Sequence, residues 1–189
     1  MYLSRFRRAI LLLLIVTSNC TSRAAQQGVS RVDEAKARFL IKSAEFVDWP
    51  AEVFKTPAST LLICVYGNYP FGISLAEMAQ GSLVRGHRMA AKWIRKEQDL
   101  PSCQILFVSR SEAKHYGKVL ETVKNAVTLT IGEDPDFLKA GGMVSLEAAP
   151  DSLLFDVNLD AVRSGQLRLS SQLLSLARRI IQRSEAARS

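Results

Sequence analysis

The sequence predicts an α/β protein: a single-domain three-layer sandwich, with helices flanking a central mixed, mostly parallel sheet. Three observations predict it. Residues 61–67, 103–109 and 126–132 are continuous apolar runs of strand length, the pattern of strands buried on both faces. Segments of helical spacing lie between them, so strands and helices alternate. No linker, repeat or low-complexity stretch interrupts residues 31–183, so one domain holds the core of this 189-residue chain.

The first residues are read as an export signal. Arg5, Arg7 and Arg8 precede an apolar run at 9–16, and Ser22 and Ala24 sit at the −3 and −1 positions of a cleavage site after Ala24. A basic start, a short apolar centre and a small-residue end make a secretory signal peptide over residues 1–24. The apolar run is far shorter than the ~20 residues that span a bilayer. The competing readings are an uncleaved anchor and a lipid anchor on Cys20, although Thr17, Ser18 and Asn19 make a poor lipobox. Cleavage removes Arg5, Arg7, Arg8 and Arg23 and no acid. The 25 basic side chains then fall by four, to 21, against 18 acids, and the net charge drops from +7 to +3. No dense basic footprint remains, so nucleic acid is not an expected partner.

Residues 25–30 are polar and read as a disordered leader, and residues 184–189 as a flexible tail. From Val32 the spacing is helical. Val32, Ala35, Phe39, Leu40, Ser43, Phe46 and Val47 share one face, and Pro50 ends the helix because proline disfavours helix in the residue before it. Residues 51–60 form a loop, and the first buried strand follows. Pro70, Phe71 and Gly72 open a second helix. The glycine-containing turn before it lacks the spacing of a phosphate loop. Residues 89–94 are read as a strand paired in a hairpin with 103–109. Ser111 and Glu112 start the next helix. A short helical turn from Asp134 stops at Gly141-Gly142. Strands at 143–146 and 153–159 form a second hairpin.

The stretch from Leu153 to Ile181 carries the clearest pattern. It reads as a strand, a turn at Ser164-Gly165, an extended piece at 166–169, and a final helix capped by Ser170 or Ser171. Leu173, Leu176, Ala177, Ile180 and Ile181 fall on one helical face.

Chemistry is sparse. His87 and His115 stand on different elements without metal-ligand spacing, so no metal or other cofactor is expected. No GxSxG or nucleophile–base constellation is present, so the chain is not expected to be an enzyme. Cys64 and Cys103 sit in or beside apolar runs. An even pair in an exported chain reads as a disulfide, and two buried free thiols are the alternative. Asp156 lies in an apolar strand, and a buried acid needs partners. Arg163, Arg168 or the amides at 164–166 are the expected ones, in a salt bridge pinning the last strand to the last helix. Phe46 and Trp49 are core, or they line a ligand pocket together with Tyr66 and Trp93.

Seven segments in order resemble the YfiR family of exported regulators: KARFLIKSAEFVDWP (36–50), LLICVYGNYPFG (61–72), RGHRMAAKWI (85–94), CQILFVSRSE (103–112), LTIGEDPDF (129–137), GGMVSLE (141–147) and FDVNLDAVRSGQLRLSSQLLSLA (155–177). The family pattern has a glutamate in F-E-[IV]-N-L where this chain has Asp156. The resemblance implies a homodimeric periplasmic repressor. It would hold the periplasmic region of an inner-membrane diguanylate cyclase inactive, lowering cyclic di-GMP and biofilm formation. An outer-membrane lipoprotein would sequester it. The resemblance also implies redox sensitivity through the cysteines, and places Asp156 and Val162 near the partner-binding surface. A periplasmic small-molecule-binding module is the alternative.

Overall fold

Strands β2 (Leu61–Tyr66), β5 (Ile105–Val108) and β6 (Leu129–Gly132) lie side by side and parallel at the centre of one sheet. Their side chains alternate between two cores, which is why the sequence reads as unbroken apolar runs. Leu61, Ile63, Val65, Ile105, Phe107, Leu129 and Ile131 enter the larger core, while Cys64, Leu106 and Val108 enter the smaller one. The computed structural model describes residues 30–150 and 152–182. The export signal, the leader up to residue 29 and the tail lie outside the described residues.

Helix α1 (Arg31–Ser43) starts where Ser30 Oγ accepts from the Asp33 amide at 3.1 Å. It buries Ala37, Leu40 and Ile41 in the larger core, together with Phe71, Leu75 and Ala79 from α2 (Gly72–Gln80) and its N-terminus. The other face is covered by α3 (Tyr116–Val123) and α4 (Pro135–Lys139), through Tyr116, Val119, Val123 and Phe137. The expected helical turn is α4, which Asp134 caps, and Gly141 takes the left-handed conformation (φ +103°) just after it. Three layers result, as the sequence predicts.

Strand β4 (His87–Ile94) is outermost of the parallel set, and β3 (Leu83–Val84) pairs antiparallel with its start. This corrects one expectation. Residues 87–94 and 105–108 do not form a hairpin, because β2 lies between β4 and β5 and pairs with both in parallel. The intervening chain at 95–104 instead crosses β2 on the face of the sheet that carries the smaller core, where Leu100 and Cys103 are buried. At the other end, β7 (Val144–Ala149) joins β6 in parallel and makes the expected hairpin with β8 (Ser152–Asn158).

The chain after β8 departs most from the sequence reading. Asn158 Oδ1 accepts from the Ala161 amide at 3.1 Å and starts α5 (Leu159–Ser164), where a strand end and turn were expected. β9 (Arg168–Leu169) then pairs antiparallel with β1 (Val47–Asp48), which follows one 3-10 turn at Ala44–Phe46. α6 (Ser171–Leu176) is capped by Ser170 as expected, but it lasts only six residues. Residues 179–181 are strand β10 (Arg179–Ile181), parallel to β8, and not the end of a helix. The apolar spacing misleads because Leu173 alone of its five residues is buried, while Leu176, Ile180 and Ile181 are exposed. Strand pairing with β8 and the ion pairs described next decide the conformation.

Candidate partner-binding surface

Asp156 sits in the middle of β8, opposite Ser145 on β7 and Arg179 on β10, and is 0% exposed. An isolated carboxylate there would carry a large desolvation cost. Two guanidinium groups remove it. Arg178 Nε donates to Oδ1 at 2.9 Å and its Nη2 donates to Oδ2 at 2.8 Å, a two-pronged fork. Arg179 Nη2 adds a third bond to Oδ2 at 2.7 Å, and Arg178 also reaches Glu147 at 2.7 Å. Hydrogen bonds from Arg178, then Arg179, hold the Asp156 carboxyl below the usual carboxylate range against the opposing effect of burial. The backbone joins in, since the Arg178 amide donates to Phe155 O at 2.9 Å.

Asp156 therefore has partners, but not Arg163, Arg168 or the 164–166 amides. They come from 22 and 23 residues along the chain, and they tie strand to strand instead of strand to helix. Adjacent arginines following a short apolar helix gave no periodic signal in the sequence. Only the return of the chain beside β8 brings them to the carboxylate.

Val162 on α5 is also buried, in the larger core with Leu169 and Leu173. Asp156 and Val162 thus lie beneath the surface. What they support is outside: Arg178 and Arg179 are partly exposed, and Leu176, Ile180 and Ile181 of the same short stretch are exposed too. Exposed apolar side chains and fixed cations in one short stretch make it the candidate surface.

Cys64 and Cys103 form a disulfide with Cα atoms 5.8 Å apart. Both are buried in the smaller core. The bond ties β2 to the residues entering β5. Next to it, Thr128 Oγ1 donates to Cys103 O at 2.7 Å.

The four aromatics do not share one pocket. Phe46 packs against the larger core. Trp93 stands opposite Val65, and its neighbour Ile94 stands opposite Tyr66, so Tyr66 and Trp93 face opposite sides of the sheet. The Tyr66 hydroxyl reaches Glu97 at 3.5 Å, while Trp93 rests on Tyr69 with ring centres 4.9 Å apart. Trp49 alone of the four lines an open cavity of about 590 Å³, with Phe54, Lys55, Arg85 and His87. Phe54 and His87 stack there, centres 4.1 Å apart. Phe54 stands in a loop and His87 starts a strand far along the chain, so no local pattern joined them.

The model of YfiR/HmsC-like proteins matches residues 33–178, which include Asp156, both cysteines and Arg178. This chain belongs to the YfiR/HmsC-like family. The family is regulatory rather than catalytic, is periplasmic, and acts through protein–protein contacts in cyclic di-GMP signalling. Among the described residues of this YfiR/HmsC-like chain, no helix is long and apolar enough to cross a membrane. Solved structures resemble it more distantly. A conserved domain protein from Vibrio cholerae O1 biovar El Tor is 13% identical, with a TM-score of 0.47 over 65% of this chain and 55% of that one. The ABC domain in complex with L-Trp from Streptococcus pneumoniae is 10% identical, with a TM-score of 0.51 over 77% of this chain and 60% of that one. This chain thus spans little more than half the length of either, and the second likeness is one of fold alone.

Proposed function

We propose that this protein is a periplasmic repressor, exported by cleavage near Ala24, that binds the periplasmic region of an inner-membrane diguanylate cyclase and holds it inactive. The observation that carries this reading is the family match over residues 33–178. The chain around β10 supports it, because Leu176, Ile180 and Ile181 are exposed in the same short stretch as arginines already fixed in place by Asp156. Preorganised cations lose little freedom on binding. The repressor acts by preferring the inactive arrangement of the cyclase, so it shifts that equilibrium only by its difference in affinity for the two states. Cyclic di-GMP and biofilm formation fall as a result. An outer-membrane lipoprotein that takes up the same surface releases the cyclase. The protein works as a homodimer, and reduction of the Cys64–Cys103 bond weakens repression by softening the sheet.

The test is capture of the tagged protein from detergent-solubilised inner membrane, followed by assay of cyclic di-GMP synthesis by the captured membrane protein. A diguanylate cyclase that is retained, inhibited, and released by Ile180→Glu is expected. Ile180 is the right position because it is exposed and takes no part in the ion cluster, whereas a glutamate at Arg179 would face the buried Asp156 and a lysine at Asp156 would disrupt the sheet itself. A cyclase that is neither retained nor inhibited overturns the reading.

The cavity beside Trp49 favours a second reading, a small-molecule-binding module. Its stacked Phe54 and His87 and the rim cation Lys55 suit a planar anion, while Arg85 on the same rim is paired with Asp48 at 2.6 Å. Quenching of Trp49 fluorescence by a periplasmic metabolite fraction, lost in Phe54→Ala, is the measurement for it.

A further inference from the structure

The sheet has a second edge, at β4. β3 covers only its first two residues, pairing with His87 and Arg88. The Met89 amide donates outward to Ser82 O at 3.3 Å. Backbone groups alternate in direction along a strand. The N–H and C=O of Ala91 and Trp93 therefore also point outward, where no described strand pairs with them. Four cations line this edge and its exit: Arg88, Lys92, Arg95 and Lys96, all exposed. Among the described residues, none of the four has an ion-pair or side-chain hydrogen-bond partner. Trp93 lies beside them, 45% exposed.

We propose that the open edge of β4, residues 90–94, takes up an acidic extended segment of a partner protein by strand addition. The backbone groups of Ala91 and Trp93 would supply the hydrogen bonds, and the cations would select the charge. Charge also argues against a second copy of this chain. The antiparallel register that uses the outward groups of both Ala91 and Trp93 is centred on Lys92. It sets Lys92 of each copy directly opposite the other, about 5 Å apart between Cβ atoms, and like charges placed so repel. Positive charge on an edge strand is a known guard against self-association, and the same charge attracts an acidic strand. The proposal does not rest on the repressor reading, since it concerns the opposite end of the sheet.

The experiment uses two acetylated, amidated peptides of alternating sequence, one of glutamate and valine, the other of lysine and valine. Each is titrated into the isotope-labelled protein, with amide exchange and Trp93 emission as readouts. The glutamate peptide is expected to slow exchange at Ala91 and Trp93 about tenfold or more. The lysine peptide at equal concentration should do nothing, and about 0.5 M salt should weaken the effect. Ala91→Pro removes an outward N–H at an edge position that tolerates proline, and should abolish protection. Lys92→Glu takes the edge from four positive charges to a net of two and should weaken glutamate-peptide protection several-fold, and it decides alone if the proline variant does not fold. Equal binding of both peptides, protection that survives Ala91→Pro, protection at β10 instead, or edge-mediated dimers of the wild type would each overturn the proposal.

Discussion

The two ends of the sheet solve the edge-strand problem in opposite ways. At the β10 end, two arginines turn inward onto a buried carboxylate, and the charge is balanced within the molecule. At the β4 end, four cations stand outward with no acid against them among the described residues. The first arrangement builds structure, since β10 depends on it. The second adds nothing to the fold that an uncharged side chain would not. Cations that a fold does not use are free to act on something else, whereas cations bound to a buried acid present a fixed shape.

Stability measurements can break or sharpen this contrast. The largest effect belongs to the disulfide, which sits beside β4 through β2. Replacing both Cys64 and Cys103 by Ser opens a loop of 39 residues, worth about 4 kcal/mol in the chain-entropy model. Urea unfolding of the oxidised and double-serine proteins measures it. Hydrogen exchange in the variant should rise sooner in β2 and β4 than in β8. A uniform rise would mean that the bond stiffens both ends alike.

Next comes Asp156→Ala, with an expected loss of about 3 kcal/mol, because it breaks a buried ion cluster and leaves Arg179 without an acid and Arg178 with Glu147 alone. Exchange at Ile180 and Ile181 should accelerate before the central strands respond. If β10 stays protected, the backbone ladder and not the ions holds it.

The acid limb of stability gives a smaller and more specific signal. The folded carboxyl of Asp156 titrates below its unfolded value of about 4. The unfolded chain therefore binds the proton first as pH falls. The stabilisation is fully present above the unfolded value and is lost as pH drops through it toward the folded one. Thermal melts from pH 6 downward should show this slope in the wild type, and Asp156→Asn should flatten it.

The smallest effect is expected at the β4 end. Arg88→Ala with Lys92→Ala should change stability by less than about 0.5 kcal/mol, read from the same urea midpoint. A loss above that would show that these cations hold the fold after all.

Much of this architecture was legible in the chain. The runs at 61–67, 103–109 and 126–132 marked the three central strands, because strands covered on both faces admit few polar residues. Gly141 marks the stop expected of it, for a backbone reason that needs no tertiary partner, whereas the first helix ends at Ser43, well before Pro50, because Val47 and Asp48 pair as a strand with Leu169 and Arg168. Cys64 and Cys103 were legible as a pair through their number, compartment and apolar surroundings. Asp156 stood out because an acid inside an apolar strand has to be explained.

Other features became visible only once the chain was folded. The strand at 87–94 looked like half of a hairpin, since a short connection favours one, and only the sheet order shows β2 inserted between the two. The end of the chain had helical spacing, yet it runs as a strand because Asp156 and the β8 ladder offer more there than a mostly exposed helix face could. The grouping of Phe46, Trp49, Tyr66 and Trp93 failed because strand alternation sends Tyr66 and Trp93 to opposite faces. By itself, then, the sequence determined which segments are buried on two faces, that a helical turn stops at Gly141 and which polar residue needed an answer, since these follow from local composition. Strand order, the arginines that answer Asp156 and the edge left open at β4 were decided by tertiary structure alone, because each depends on which distant segments come to lie side by side.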